Sequence, residues 1–159
     1  MNVMMVGTAG QGIKLVSITL AKVLAKVGYF VSVNVTYGAS VRTGKVESML
    51  VFDTKPIECP TFDKADIVLK LTQSDREGKR IICEKGLCKG EEIAFTEESE
   101  KHFNTRMFAN MIALGKMLKV LGIDIKKLDL KQKLPAKFFE NNVKAVKIGY
   151  SFEDRSHVY

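Results

Sequence analysis

The stretch "MMVGTAGQG" (residues 4–12) joins a short apolar run to three glycines, and a long apolar helix pattern follows directly at residues 13–27. An apolar run that ends in glycines and leads into a helix is typical of a buried strand in a parallel sheet. Gly28 marks the expected helix end, and the β-branched run "YFVSVNV" (residues 29–35) predicts a second strand. The N-terminal residues therefore predict a strand, glycine turn, helix and strand of an α/β fold.

Four further segments have the apolar or alternating pattern of strands, and the last of them is the weakest: "VESMLVF" (46–52), "ADIVLKL" (65–71), "RIICE" (80–84) and "EEIAFT" (91–96). The remainder is predicted to be mostly helical. We predict a Rossmann-like three-layer α/β fold with a mainly parallel sheet and a single domain over residues 1–150, followed by a C-terminal tail at 151–159.

Two C-terminal helices follow from their end signals. Asn104 is predicted to cap the first, and Gly115 inside it indicates close contact with another backbone. Pro135 is expected in the first turn of the second, with Gly149 at its end.

Composition limits the class of protein. The chain has 159 residues with a hydrophobic fraction of 46%, and no apolar run approaches the roughly 20 residues of a membrane span. The first residues do not have the pattern of a secretory signal, so we expect a cytoplasmic protein that does not bind membranes. The three cysteines, Cys59, Cys83 and Cys88, are an odd number without metal-ligand spacing, and we expect free thiols and no metal site.

The net charge of +7 is unevenly distributed. Residues 1–46 hold five bases and no acid, residues 47–100 hold eight bases and thirteen acids, and residues 101–159 hold twelve bases and five acids. Basic ends can serve an anionic ligand or an acidic partner protein. The chain lacks Trp and has no nucleic-acid-binding motif, so nucleic acid is not expected as a partner.

The glycine turn fails two tests for a nucleotide site. A dinucleotide fingerprint needs a glycine where Ala9 stands and an acid after the second strand, but the first acid of the chain is Glu47. A P-loop needs a lysine where Ile13 stands. The glycines can simply permit a tight turn, or the turn can present Gln11 and free amide groups to a ligand or a partner chain.

A second glycine-containing loop, "TYGASVRTGK" (residues 36–45), joins two strands without a helix. Arg42 could bind a carboxylate or phosphate through its planar guanidinium, or could be an ordinary surface residue. Tyr37 could be a core residue or part of the same contact surface.

Several blocks in order resemble the gamma subunit of 2-oxoacid:acceptor oxidoreductases, which use ferredoxin or flavodoxin: "GTAGQG", "TYGASVRTGKVES", "KPIECP", "ADIVLKL" and "NMIALGKML". The resemblance implies a complex that oxidises a 2-oxoacid with coenzyme A to an acyl-CoA. It implies that thiamine diphosphate, Mg and iron-sulfur clusters lie in the companion alpha, beta and ferredoxin-like delta subunits, and that this chain binds no cofactor alone and holds no catalytic residue.

The resemblance also selects contact loops, although the chain departs from the family pattern within them. Ala9 precedes Gly10 where the family has two glycines, and Thr43 follows Arg42 where the family has a glycine. Residues expected to contact coenzyme A or a companion subunit are Gly7, Gly10, Gln11, Gly12, Tyr37, Gly38, Arg42 and Gly44. The compact chain favours 2-oxoglutarate as the 2-oxoacid. The alternatives are a free-standing nucleotide-binding module of Rossmann type and a basic scaffold protein without chemistry nearby.

Overall fold

A computed structural model describes residues 1–38, 44–130 and 133–154. Within these residues the chain forms six strands and four α-helices, with short 3₁₀ turns at Arg106–Phe108 and Ile125–Lys127. The elements are β1 (Asn2–Thr8), α1 (Ile13–Lys26), β2 (Phe30–Tyr37), β3 (Lys45–Asp53), β4 (Ala65–Lys70), β5 (Gly78–Glu84), β6 (Glu91–Ile93), α2 (Phe95–Phe103), α3 (Ala109–Val120) and α4 (Phe139–Ser151).

The elements form two compact units, Met1–Ile93 and Ala94–Tyr159. The first, the sheet unit, holds all six strands and α1; the second, the helical unit, holds α2, α3 and α4. The domain boundary predicted at residue 150 stays a prediction, and residues 155–159 of the predicted tail lie outside the described residues.

The six strands form one sheet in the order β2-β3-β1-β4-β5-β6. β3 is antiparallel to both of its neighbours, β1 and β2, and the other pairings are parallel, so five of the six strands run in one direction. The predicted Rossmann-like α/β class with a mainly parallel sheet is confirmed. The insertion of β3 between β1 and β2 was not predicted, because periodicity identifies strands but not their neighbours.

Alternation along β1 separates the two faces of the sheet. The Ser17 hydroxyl of α1 donates to the Met5 sulfur, so the face that carries Met5 is the one covered by α1. Met4 and Val6 point to the opposite face, where they form an apolar cluster with Ala65 and Val68. Both faces of β1 are therefore buried, which explains its continuous apolar run.

Helices α3 and α4 of the helical unit pack through two glycines. A Cβ atom on Gly115 would overlap the carbonyl oxygen of Val146, and one on Gly149 would overlap the carbonyl oxygen of Ile112. The predicted backbone contact at Gly115 is confirmed. Gly149 does not end α4 as predicted, because the helix continues to Ser151 and uses the glycine for packing.

Three further predictions of element ends in the C-terminal part are wrong. The strand predicted at 91–96 ends at Ile93, and α2, which was missed, begins at Phe95. Asn104 does not cap the next helix; its φ of 54° is left-handed, and it ends α2 instead. The helix expected from Pro135 begins at Phe139.

The cysteine prediction is also wrong for two of the three residues. Cys83 of β5 and Cys88 form a disulfide across a separation of five residues, and only Cys59 is a free, exposed thiol. The tight turn between β5 and β6, with Gly86 at a φ of 82°, brings the two sulfurs together. Spacing alone did not reveal this turn, since four intervening residues are equally compatible with separate thiols.

Candidate functional site at the carboxyl edge of the sheet

The predicted contact residues that the structure describes lie at the edge of the sheet formed by the carboxyl ends of the parallel strands, where the chain leaves β1 and β4 in opposite directions. β1 leads through α1 to β2 on one side of the sheet, and β4 leads to β5 on the other side. Open α/β sheets bind their ligands at such a switch point. The strand order therefore supports this edge as the candidate site.

The glycine turn depends on its three glycines for two physical reasons. Gly10 and Gly12 have φ angles of 90° and 76°, which side-chain-bearing residues rarely adopt. Gly7 has no such angle, but a Cβ there would lie 2.5 Å from Ile13 Cγ1 and 2.9 Å from Gln11 Oε1. Gly7 therefore makes room for the first residue of α1 and for the glutamine amide.

Gln11 joins the two strands at the switch point. Its Oε1 accepts a hydrogen bond of 2.7 Å from the Thr8 amide, and its Nε2 donates one of 2.8 Å to the Leu71 carbonyl at the end of β4. The side chain is half-buried and spans the mouth between β1 and β4. Its amide thus holds the turn in shape, a role that the sequence did not predict.

Gly44, near the C-terminal end of the second loop, contacts the glycine turn. The Ala9 amide donates to the Gly44 carbonyl at 2.6 Å, and the Gly38 amide donates to the Lys45 carbonyl at 2.8 Å. Ala9 and Gly10 are exposed. Arg42, and with it Thr43, lies outside the described residues.

Register places Tyr37 in line with the glycine turn. Val46 of β3 pairs with Tyr37 on one side and with Gly7 on the other, so these residues form one row across the sheet. Tyr37 is 62% exposed and therefore is not a core residue. The structure brings together Gly7, Gly10, Gln11, Gly12 and Gly44, and it places Tyr37 and Gly38 two strands away from the glycine turn at the same edge.

The amino end of α1 faces this edge without a counter-charge of its own. Gly12 is the N-cap residue, no side chain of residues 1–38, 44–130 or 133–154 caps the helix, and the first turn has no acid. The partial positive charge of the helix end therefore suits an anionic group.

An ion pair near this edge was missed by sequence reasoning. Arg76, in the connection from β4 to β5, contacts both oxygens of the Glu47 carboxylate at 3.1 and 2.7 Å, and Lys45 lies 3.2 Å from it. The guanidinium of Arg76, with the help of Lys45, lowers the pKa of Glu47 below its ordinary value. The available signal was the position of Glu47 as the first acid of the chain, on the same face as Met49.

We expect Glu47→Gln to lower stability at neutral pH and not at acid pH. Because the folded-state pKa of Glu47 is depressed, its contribution is present above the unfolded pKa of about 4.3 and is lost as pH falls through the lower folded value. Urea unfolding should show a loss of about 1 kcal/mol at pH 7 that disappears at the acid end.

The matched control is Glu100→Gln, which breaks an exposed pair with Arg106. The Glu100 side chain is 45% exposed and that of Arg106 is 77% exposed, whereas the Glu47 side chain is 16% exposed. We therefore expect Glu100→Gln to change the free energy of unfolding by close to zero. If Glu47→Gln and Glu100→Gln lose the same free energy of unfolding at pH 7, the ion pair of Glu47 with Arg76 does not stabilise the fold more than an exposed pair does.

The face opposite α1 carries a cleft of about 740 Å³ in the sheet unit. Met4, Met49 and Phe62 line its apolar part, and Glu47 and Arg76 belong to its polar wall. Lys70 lies on the same face in the row of Glu47 and Val6; it is 3% exposed and donates to the Ser74 carbonyl at 3.0 Å. The polar groups close to the cleft thus mainly hold the connection from β4 to β5 in place.

Neither a metal-binding cluster nor a membrane-spanning helix is found among residues 1–38, 44–130 and 133–154. No group of three or more His, Cys, Asp or Glu side chains is arranged to hold a metal ion there. No helix in the same residues is long and apolar enough to cross a membrane.

The fold and this edge define a Rossmann-like α/β chain that has a glycine turn at its switch point but lacks the middle glycine and the acid of a dinucleotide site. The family model of pyruvate ferredoxin/flavodoxin oxidoreductase matches residues 2–87. The 2-oxoglutarate synthase subunit KorC of Archaeoglobus fulgidus is 30% identical over 165 aligned positions, which cover 97% of this chain and 88% of KorC. The chain therefore belongs to the pyruvate ferredoxin/flavodoxin oxidoreductase family, as a gamma-type subunit.

Solved structures agree with this fold. The gamma subunit of keto/oxoacid ferredoxin oxidoreductase from Geobacter sulfurreducens superposes with a TM-score of 0.75 at 22% identity, over 94% of this chain and 95% of that one. The 2-oxoglutarate:ferredoxin oxidoreductase of Magnetococcus marinus, with 2-oxoglutarate, coenzyme A and succinyl-CoA bound, gives a TM-score of 0.75 at 16% identity. That match covers 95% of this chain and 30% of the longer one.

Proposed function

We propose that this chain is the non-thiamine-binding subunit of a complex that oxidatively decarboxylates 2-oxoglutarate with coenzyme A. The products are succinyl-CoA, carbon dioxide, one proton and two electrons, and the electrons pass to ferredoxin or flavodoxin. The observation that supports this proposal is the match to KorC along nearly the whole chain. In this proposal thiamine diphosphate, Mg and the iron-sulfur clusters belong to companion alpha, beta and delta subunits in the cytoplasm, and the isolated chain has no activity.

The two loops at the carboxyl edge are proposed to contact a companion subunit or the approaching coenzyme A. The exposed Tyr37, Ala9 and Gly10 support contact with another molecule, because none of them is covered by the described part of the chain. The acid-free amino end of α1 supports an anionic group such as the coenzyme A phosphates. Arg42 stays a predicted carboxylate or phosphate ligand of the same surface.

Substrate choice is tested with the assembled complex. Purified with its companion subunits, the complex should reduce a viologen dye with 2-oxoglutarate in a reaction that requires coenzyme A. The same preparation is assayed with pyruvate and with branched-chain 2-oxoacids. A higher kcat/KM for either of these than for 2-oxoglutarate would overturn the substrate proposal while leaving the family assignment intact.

We expect Tyr37→Ala to impair the complex and leave the isolated chain folded. An exposed aromatic side chain at an interface centre commonly contributes enough to change affinity by about tenfold or more. The measurements are the thermal midpoint of the isolated chain, its affinity for the companion subunits, and the KM for coenzyme A in the complex. Weaker assembly identifies a subunit contact, whereas a raised coenzyme A KM with normal assembly identifies a ligand contact.

Met107→Ala is the matched control, because Met107 is a large apolar side chain of similar exposure in the helical unit. It should change none of the three measurements. If Tyr37→Ala behaves like this control, and Arg42→Ala does too, the proposed role of these loops is wrong.

A further inference from the structure

Strand β2 forms one edge of the sheet that the described residues build. β3 pairs with it along its whole length, from Phe30 to Tyr37, and no strand of residues 1–38, 44–130 or 133–154 pairs with the other side. Four of its eight residues are exposed and the rest are half-buried. Its outer backbone amide and carbonyl groups thus form a template to which another strand can add.

This edge carries none of the usual protection against pairing. Natural edge strands are commonly shortened or carry lysine, proline or an inward charge. β2 has eight residues, and no charged residue or proline lies between Lys26 and Arg42 in a chain that is 27% charged. The opposite edge differs, because β6 has three residues and two of them are Glu91 and Glu92.

The alternation of β2 is compatible with a copy of itself. Val35 pairs with Ser48, which also pairs with Met5, so Val31, Val33 and Val35 lie on the face covered by α1. A two-fold axis perpendicular to the sheet keeps each face continuous and places odd-numbered residues opposite odd-numbered ones. Pairing centred on Val33 or on Asn34 then aligns the valines of the two copies on one face.

We propose that β2 pairs with β2 of a second copy of this chain, in antiparallel orientation, to form one continuous sheet. A second copy is favoured over a strand of a different protein because the valine row is complementary to itself. The chain has a net charge of +7, so two copies can approach most readily through an uncharged segment. This proposal does not depend on the proposed function.

The test changes the charge of Asn34, an exposed residue at or beside the predicted two-fold axis. The full chain is examined by sedimentation equilibrium over a wide concentration range. Wild type should dimerise, and Asn34→Lys and Asn34→Glu should each weaken the dimer by at least about tenfold, because two like charges then lie directly opposite each other when pairing is centred on Asn34, or diagonally across the two strands when it is centred on Val33. A mixture of the two variants should restore a dimer that contains one copy of each.

Two controls separate pairing from folding and from net charge. Thr61→Lys adds the same charge at an exposed position outside the strands and should leave the dimer unchanged. Circular dichroism should show that both Asn34 variants keep the wild-type thermal midpoint. If they do not, Ser32→Lys and Ser32→Glu, alone and mixed, replace them, since Ser32 lies on the same face of β2 two residues from Asn34.

Three results would overturn the proposal: a wild-type chain that is monomeric at every concentration, a dimer that the charge changes do not weaken, or a mixture that fails to restore pairing. If Asn34→Lys instead weakens binding to companion subunits while wild type alone is monomeric, the edge belongs to a strand of another subunit and not to a second copy.

Discussion

Gly149→Ala is expected to destabilise the helical unit strongly, by about 3 kcal/mol or more. The Cβ of the new alanine would overlap the carbonyl oxygen of Ile112 and lie 2.9 Å from the Lys116 amide nitrogen. Both are backbone atoms of α3, so no side-chain rotation can relieve the overlap. Thermal unfolding of the full chain, followed by circular dichroism, should show a large drop in the midpoint.

The sign of this change is informative because alanine is the better helix former. At an exposed helical position, replacement of glycine by alanine stabilises by about 1 kcal/mol. A stabilised Gly149→Ala variant would therefore show that α3 and α4 do not approach as closely as the structure indicates. Lys147→Ala, at an exposed position of the same helix, is the control and should change stability by about 0.5 kcal/mol or less.

Gln11→Ala is expected to destabilise the sheet unit by about 2 kcal/mol, because it leaves the Thr8 amide and the Leu71 carbonyl without their partner. Loss of stability should accompany any loss of complex assembly. For this reason an assembly defect in Gln11→Ala would not by itself identify a contact residue, and Tyr37→Ala is the cleaner probe of the surface.

Gln11→Glu separates the two hydrogen bonds of this amide. The carboxylate can still accept from the Thr8 amide, but it cannot donate to the Leu71 carbonyl. We expect Gln11→Glu to be less stable than wild type at pH 7 and to recover part of the loss in acid, where the protonated group regains a donor. Urea unfolding at pH 7 and at acid pH measures the stability loss of Gln11→Glu. Gln11→Ala is the reference, because its stability loss should be the same at both pH values. A Gln11→Glu variant as stable as wild type would contradict the bridging role.

Most strands and the first helix could be predicted from local pattern. The alternation in β3 and the apolar run in β1 depend on which faces are buried, and sequence periodicity reports burial directly. The helices of the C-terminal part were harder to predict. Most residues of α2 are polar, and only Phe95 and Ser99 of this helix are buried, so it shows little hydrophobic periodicity. Its end residue Asn104 was mistaken for a beginning, since asparagine is common at both positions.

The candidate site was predicted as a set of residues but not as an arrangement. The glycines predicted a tight turn after the first strand. The positions where the predicted strands end indicated which edge of the sheet carries the candidate residues. The bond of Gln11 to Leu71 spans 60 residues of sequence, and the pair of Arg76 with Glu47 spans 29. Such partners depend on which strands are neighbours, and that order follows from tertiary packing and not from local pattern.

The antiparallel course of β3 has a consequence for how related chains can diverge. The described pairs of β2 with β3 end at Tyr37 and Val46. A change in the number of residues between Gly38 and Gly44 would therefore leave those pairs, and the buried residues of β1, in place. We expect related gamma-type chains to differ in length at this point of the sequence more readily than within the strands.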